Sequence, residues 1–313
     1  MIKHSLKLVG LVVGLGVLGV FCWHTVTAYK AERAYRNAYY HHVWKKYPES
    51  IAYYQKAMQY APLEAYYRSQ AVITYKAWLA TNPSPQTTRD RLRDQMEATI
   101  REAVKLDDLS PWNYTQLGHI YITKSKEPNA DKTAMLEQAQ SYFEQAQAID
   151  HQNPLFSQSL AQFYHIHMNN QLDAAEKYYR YTLDLDARPY QFLDVRYNLG
   201  SLYLNRGKRD LAYTYLESIA AVDPTYKAVS DILAKLYYED KNYPKVQEHL
   251  EKAYTASPYS LVAIERLANF YLNQKDYANA AVHYQKLMNL KPSEAIYQQR
   301  HAYAERLAKQ LVK

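Results

Sequence analysis

Between residues 193 and 292 the chain repeats itself every 34 positions, and that period restricts its fold more than any other feature. Small residues recur at Gly200, Ala234 and Ala268, and prolines at Pro224, Pro258 and Pro292, each set spaced by 34; Ala212, Val246 and Ala280 keep the same interval. A period of this length belongs to architectures in which one supersecondary unit cannot bury its apolar face alone and stacks on copies of itself. Let the small residue be position 8 of each unit. Leu at 7 and Tyr at 11 then stand four apart on a first helix, A, and the small residue lets a second helix, B, approach closely. Proline at position 32 ends helix B, because its ring denies the backbone a donor.

The residues around these anchors, Leu199-Gly200-x-x-Tyr203, Leu233-Ala234-x-x-Tyr237 and Leu267-Ala268-x-x-Tyr271, resemble the tetratricopeptide repeat (TPR). Tyr114, Leu117, Gly118, Tyr121, Ala139, Phe143 and Ala146 mark another copy, and Leu160, Ala161, Tyr164, Ala175 and Tyr179 the next. Ala38, Tyr54, Ala57 and Pro62 fit a first repeat, and Val72, Tyr75 and Ala103 a second. Insertions are expected at residues 81–90, around Asn82-Pro83-Ser84-Pro85, and at 124–133. The fold this predicts is all-α: a TPR solenoid of about seven helix-turn-helix repeats over residues 31–292. A capping helix within 293–313 closes it, and one transmembrane helix within residues 1–28 precedes it.

Composition agrees. Glycines number only 7, and no valine- and threonine-rich alternating run suggests a sheet. Many of the 34 tyrosines fall at positions 11 and 24, where they read as packing residues between repeats.

At the N-terminus, Lys3 and Lys7 precede 21 uncharged residues, Leu8 to Ala28, of which Leu8 to Trp23 are wholly apolar or glycine. About 20 residues span a bilayer core, so the segment reads as a retained signal anchor. A cleaved signal peptide is the rival, with Val26-Thr27-Ala28 as its cleavage site. Lys30, Arg33 and Arg36 nearly balance Lys3 and Lys7, and the short basic tail resembles ordinary bacterial signal anchors. This places the solenoid outside the cytoplasm, on a single-pass protein of the bacterial inner membrane. Gly10-x-x-x-Gly14 matches a close-packing motif of membrane helices, and an anchor-mediated homodimer would use it. From Thr25 to Lys46 neither Gly nor Pro interrupts the chain, so the anchor is expected to run directly into the first repeat.

Motifs for chemistry are missing. The sequence holds no glycine-rich phosphate loop, no cysteine pair and no Gly-x-Ser-x-Gly elbow. His165 and His167, two apart, point to different faces of a helix and suit no metal, and Glu239-Asp240 reads as a solvated helix end. The net charge of +7 is spread along the chain apart from Lys30, Arg33, Arg36, Lys45 and Lys46, which are expected to meet lipid headgroups rather than nucleic acid. The expectation is a non-enzymatic protein without metal or cofactor.

Binding remains, and the TPR resemblance implies where. In that family, helix A positions 2, 5, 9, 12 and 13 line a concave groove that holds an extended peptide or a partner helix. Here they are Tyr35, Tyr39, Tyr66, Trp112 and His119 in an aromatic N-terminal part. Gln158, Gln162, His165, Tyr197, Ser201, Asn205, Asp231, Lys235, Glu239, Glu265, Asn269 and Asn273 follow in a polar C-terminal part. Position 5 is never Lys, which sets the chain apart from relatives that clamp a chaperone's terminal carboxylate. The stretches Ala31-Glu-Arg-Ala-Tyr-Arg, Tyr60-Ala-Pro-Leu-Glu-Ala-Tyr-Tyr-Arg68 and Leu109-Ser-Pro-Trp-Asn-Tyr114 also resemble the soluble TPR tail of bacterial O-antigen ligase and polymerase-type proteins. Those enzymes carry a polytopic catalytic domain that this sequence does not. The expected function is a membrane-anchored scaffold for protein partners in envelope assembly, the alternative an accessory module of cell-surface polysaccharide assembly.

Overall fold

The computed structural model describes residues 2–168, 170–188 and 190–311, with side chains from residue 17 onward. The chain divides into two compact units, residues 1–169 and 170–313. In the first, α1 (Ile2–Val43) is followed by α2 (Tyr47–Tyr60), α3 (Ala65–Ala80), α4 (Gln86–Leu106), α5 (Pro111–Lys124), α6 (Lys132–Ile149) and α7 (Pro154–His167). The second holds α8 (Leu172–Leu185), α9 (Leu193–Asn205), α10 (Arg209–Ala220), α11 (Val229–Glu239), α12 (Tyr243–Ala256), α13 (Leu261–Asn273), α14 (Tyr277–Leu290) and α15 (Ala295–Leu311). Within each unit every helix packs on the next in sequence, and no strand occurs among the described residues.

Local chemistry sets the helix starts. Asp131, Asn153, Asn242, Ser260 and Asp276 each cap a helix by accepting a backbone N–H from its first turn. Proline occupies the first turn of α5, α7 and α12, where no donor is needed. The close approach predicted at position 8 is real. A methyl group added at Gly118 would stand 2.7 Å from the Phe143 ring, and one at Gly200 would stand 2.9 Å from Leu216.

Both expected insertions are shorter than the sequence suggests. The insertion at 81–90 is a loop only as far as Pro85, since Gln86 opens the 21-residue α4, and Lys132 and Thr133 already belong to α6. Tyr226–Ala228 forms a 3-10 turn before α11, with Lys227 and Ala228 in left-handed conformation, a kink that the repeat pattern did not foreshadow. The first helix is one uninterrupted α1 through residue 28, as the lack of Gly and Pro after Thr25 predicts. Among the described residues no helix is long and apolar enough to cross a membrane. Residues 8–16 of the apolar segment, Gly10 and Gly14 among them, lie outside the described side chains.

Candidate functional site

In the second unit, four-residue spacing sets Asp231 and Lys235 on one face of α11, and Arg266, Asn269 and Asn273, spaced three and four apart, share a face of α13. Together they border a cleft of about 530 Å³. Its apolar floor includes Ala234, Leu250 and Phe270, and Tyr238 stands half-exposed at its edge. Asp231 Oδ2 pairs with Arg266. Its Oδ1 is buried and accepts no hydrogen bond among the described residues. Lys235 and Asn273 are exposed.

Not every expected groove residue is free to bind. Asn269 lines the cleft, but its Oδ1 already accepts from the Tyr284 hydroxyl at 2.6 Å and from Arg300. Tyr197 lies under the 3-10 turn, its ring 4.8 Å from Lys227 Nζ, and the turn is held down because Tyr226 and Lys227 both bind Asp194. Ser201 is half-buried and Asn205 exposed on the same helix, and Glu265 is half-buried on α13. Glu239 and Asp240 do end α11 in solvent, yet both pair with Arg209, at 3.2 and 3.0 Å, so they tie α11 to α10 rather than merely being hydrated.

In the first unit the aromatic residues have knitted together. Tyr35 and Tyr66 share a hydrogen bond of 3.0 Å between their hydroxyls, and the Tyr35 ring contacts those of Tyr54, Tyr66 and Tyr67. Burial, then the Tyr66 hydrogen bond, raises the Tyr35 pKa. Tyr39 is half-exposed beside Tyr40, and Trp112 leans edge-on against Phe156 of α7 at 4.8 Å. The His119 and Phe143 rings meet nearly at right angles, 5.2 Å apart. Desolvation, then the charges of Lys76 and His167, lowers the His119 pKa, so it is neutral at pH 7. Gln158, Gln162 and His165 are half-buried along α7.

Sequence reasoning passed over Tyr238 and Arg266, although Tyr238 stands at position 12 and Arg266 lies one period and one residue beyond Asp231. It also read the position-11 tyrosines as packing alone. Their rings do pack, but their hydroxyls donate to glutamates on the preceding helix: Tyr203 to Glu176, Tyr237 to Glu217 and Tyr271 to Glu251. A Glu recurring 20 residues before Tyr237 and Tyr271 was the available signal.

The tetratricopeptide repeat profile matches residues 193–226 and 263–294. No curated protein matches the sequence significantly. Among solved structures, the C-terminal part of a TPR repeat-containing protein from Cytophaga hutchinsonii covers 85% of this chain and 98% of its own, at 14% identity and a TM-score of 0.58. A tetratricopeptide repeat protein from Parabacteroides merdae covers 88% of this chain and 99% of its own, at 12% identity and a TM-score of 0.50. At such identities the likeness concerns the fold alone. Residues 193–226 and 263–294 are therefore tetratricopeptide repeats, within a chain that has the all-helical fold of proteins built from them.

Proposed function

We propose that this chain is a membrane-tethered scaffold, without catalytic activity of its own, that holds a protein partner against the helix A faces of its second unit in the bacterial envelope. The α11–α13 cleft carries the reading. It combines an apolar floor with an exposed cation, Lys235, and a buried acceptor, Asp231 Oδ1, that meets no donor among the described residues. A bound peptide N–H or side-chain donor would satisfy that oxygen, and a buried acceptor left unpaired costs about 1–3 kcal/mol. The tether rests on the apolar stretch from Leu8 to Trp23, with basic residues on both sides.

A photo-crosslinking residue at Lys235, with Asn273 as a second site, tests this in cells. A dominant protein adduct from Lys235, lost when Asp231→Asn is added, is the expected result. No protein adduct from either site overturns the reading. The polysaccharide alternative draws on the half-exposed Tyr39 and Tyr66, whose rings are suited to stacking on sugars. Glycan, or a glycan polymerase or ligase, captured from Tyr66 would favour it.

A further inference from the structure

We propose that the loop joining α2 to α3 is a second membrane contact, in which Tyr60 and Leu63 enter the headgroup layer of an anionic bilayer beside the point where α1 leaves it. The proposal rests on the membrane-tether reading and adds a contact which that reading does not require.

From Val17 to Lys30 every residue of α1 except Thr27 is exposed, and Val17, Phe21 and Trp23 are 64%, 68% and 72% exposed. The exposed apolar side chains lie on all sides of the helix, so no single docked protein face would cover them, whereas lipid surrounds a helix completely. At Ala31 the same helix enters the bundle. Ala31, Ala34 and Ala38, spaced three and four apart, are buried where α1 packs on α2.

Because α2 runs back along α1, its last residue returns to this exit point. Lys30 Nζ lies 5.8 Å from the centre of the Tyr60 ring. The chain then turns through Ala61-Pro62-Leu63, which shares a cleft of about 470 Å³ with Trp23 and Thr27. Leu63 is 82% exposed, and no other described large apolar side chain is more so. An isolated exposed leucine needs no explanation, but this one stands beside the exposed helix, with Trp23 and Tyr60 lining the same cleft. Aromatic rings with a polar tip, next to a lysine, are the side chains that settle at the lipid–water boundary.

The charges agree. Lys30 and Arg33 are exposed near the exit point. Arg36 is already paired with Glu32 at 3.0 Å. Lys45 and Lys46, expected from sequence to join the same basic group, sit at the other end of the helix, about 22 Å farther along at 1.5 Å per residue. That exceeds the screening length of about 8 Å, so they add little attraction. Glu64, the nearest acid in the loop, turns its carboxylate to the Tyr66 N–H and caps α3. A single helix lets the attached unit swivel, and a second contact would fix which face of the first unit meets the membrane.

The full chain with Cys22→Ser, its only cysteine removed, is labelled with an environment-sensitive fluorophore at Leu63→Cys or, as control, at Asn129→Cys in the α5–α6 loop. It is reconstituted into vesicles of equimolar phosphatidylcholine and phosphatidylglycerol carrying a lipid brominated near the headgroup. The proposal expects blue-shifted emission at position 63 and quenching several-fold greater than at 129, reduced in phosphatidylcholine alone. Chain that floats with the vesicles but has a water-exposed probe at 63, no more quenched than 129, overturns the second contact and leaves the tether standing. Chain that does not float overturns both. Quenching at 63 in chain that alkaline carbonate strips from the vesicles would retain the contact and overturn the transmembrane tether.

Discussion

In α9, α11 and α13 the position-11 tyrosine reaches back to a glutamate on the preceding helix B: Tyr203 to Glu176 at 2.8 Å, Tyr237 to Glu217 at 2.9 Å, Tyr271 to Glu251 at 2.6 Å. The corresponding residue of α3 is Tyr75, whose hydroxyl meets neutral partners, Gln55 and Thr99. At the start of α3, Tyr66 and Tyr67 instead meet the ring of Tyr35, which also contacts Tyr54. Hydrogen bonds to an ionised acceptor are shorter and about twice as strong as neutral ones, so the later hairpins are joined by directional ties and the earliest by aromatic contact. A directional tie demands particular residues at particular positions, as in the 20-residue spacing that Tyr237 and Tyr271 share. Aromatic contact does not, and there the 34-residue period is faint.

The comparison would break most visibly at Tyr284, which is fully buried and donates to Asn269. Tyr284→Ala should cost about 3–5 kcal/mol. Hydrogen exchange should then accelerate in α13–α15 while α2–α4 stay protected, since stacked repeats open locally. Equal loss of protection in α2–α4 would show that the two regions unfold as one block.

A smaller effect separates two glycines. Gly118→Ala pushes a methyl group against Phe143, a fully buried ring with little room to turn, and should cost about 1–3 kcal/mol. Gly200→Ala meets Leu216, a branched chain that can shift, and the later repeats already hold Ala234 and Ala268 in this position. Alanine's advantage in a helix, about 1 kcal/mol, should leave Gly200→Ala near neutral in urea unfolding. Equal losses would mean that the two hairpins are equally tight.

Next in size, Tyr271→Phe removes the hydroxyl that binds Glu251 and should cost about 1–2 kcal/mol. Tyr75→Phe, with neutral partners only, should cost less than about 1 kcal/mol in the same urea unfolding. The reverse order would remove the distinction between tied and stacked hairpins.

How far the sequence could be read follows from the same contrast. Helix order, the small residues at position 8 and the helix run without a break past Thr25 were legible, because each depends on one residue type or on a local rule. The Tyr226–Ala228 turn was not, since left-handed Lys227 and Ala228 leave no glycine as a signal. Nor could spacing reveal that Asn269 turns to Tyr284 and Arg300, or that Arg209 gathers Glu239 and Asp240, because a groove position says where a residue stands and not which neighbour reaches it first. Of the residues that border the cleft, sequence reading named Asp231 and Lys235 on α11 and Asn269 and Asn273 on α13 but missed Tyr238 and Arg266, the latter just outside the positions that the resemblance implies.

The smallest predicted effect concerns acid. Burial raises the Glu217 pKa, but hydrogen bonds from His249 and Tyr237 outweigh it and hold the carboxyl below its ordinary value; Lys124 and Arg101 do the same for the partly buried Glu97. A carboxylate with a depressed folded pKa contributes stability that is fully present above its unfolded pKa, near 4.3 for Glu, and lost as pH falls through the folded value. Thermal midpoints should therefore drop below about pH 4. Glu217→Gln should lower the midpoint at neutral pH and flatten its acid slope, whereas Gln55, which faces Tyr75 where later hairpins hold a glutamate, contributes no such slope. Placing a carboxylate there with Gln55→Glu tests the contrast directly: it should introduce a new acid-labile increment if the tie depends on charge. An unchanged slope would mean that the tyrosine ladder is held by packing throughout, and that the two regions differ only in how strictly their sequences repeat.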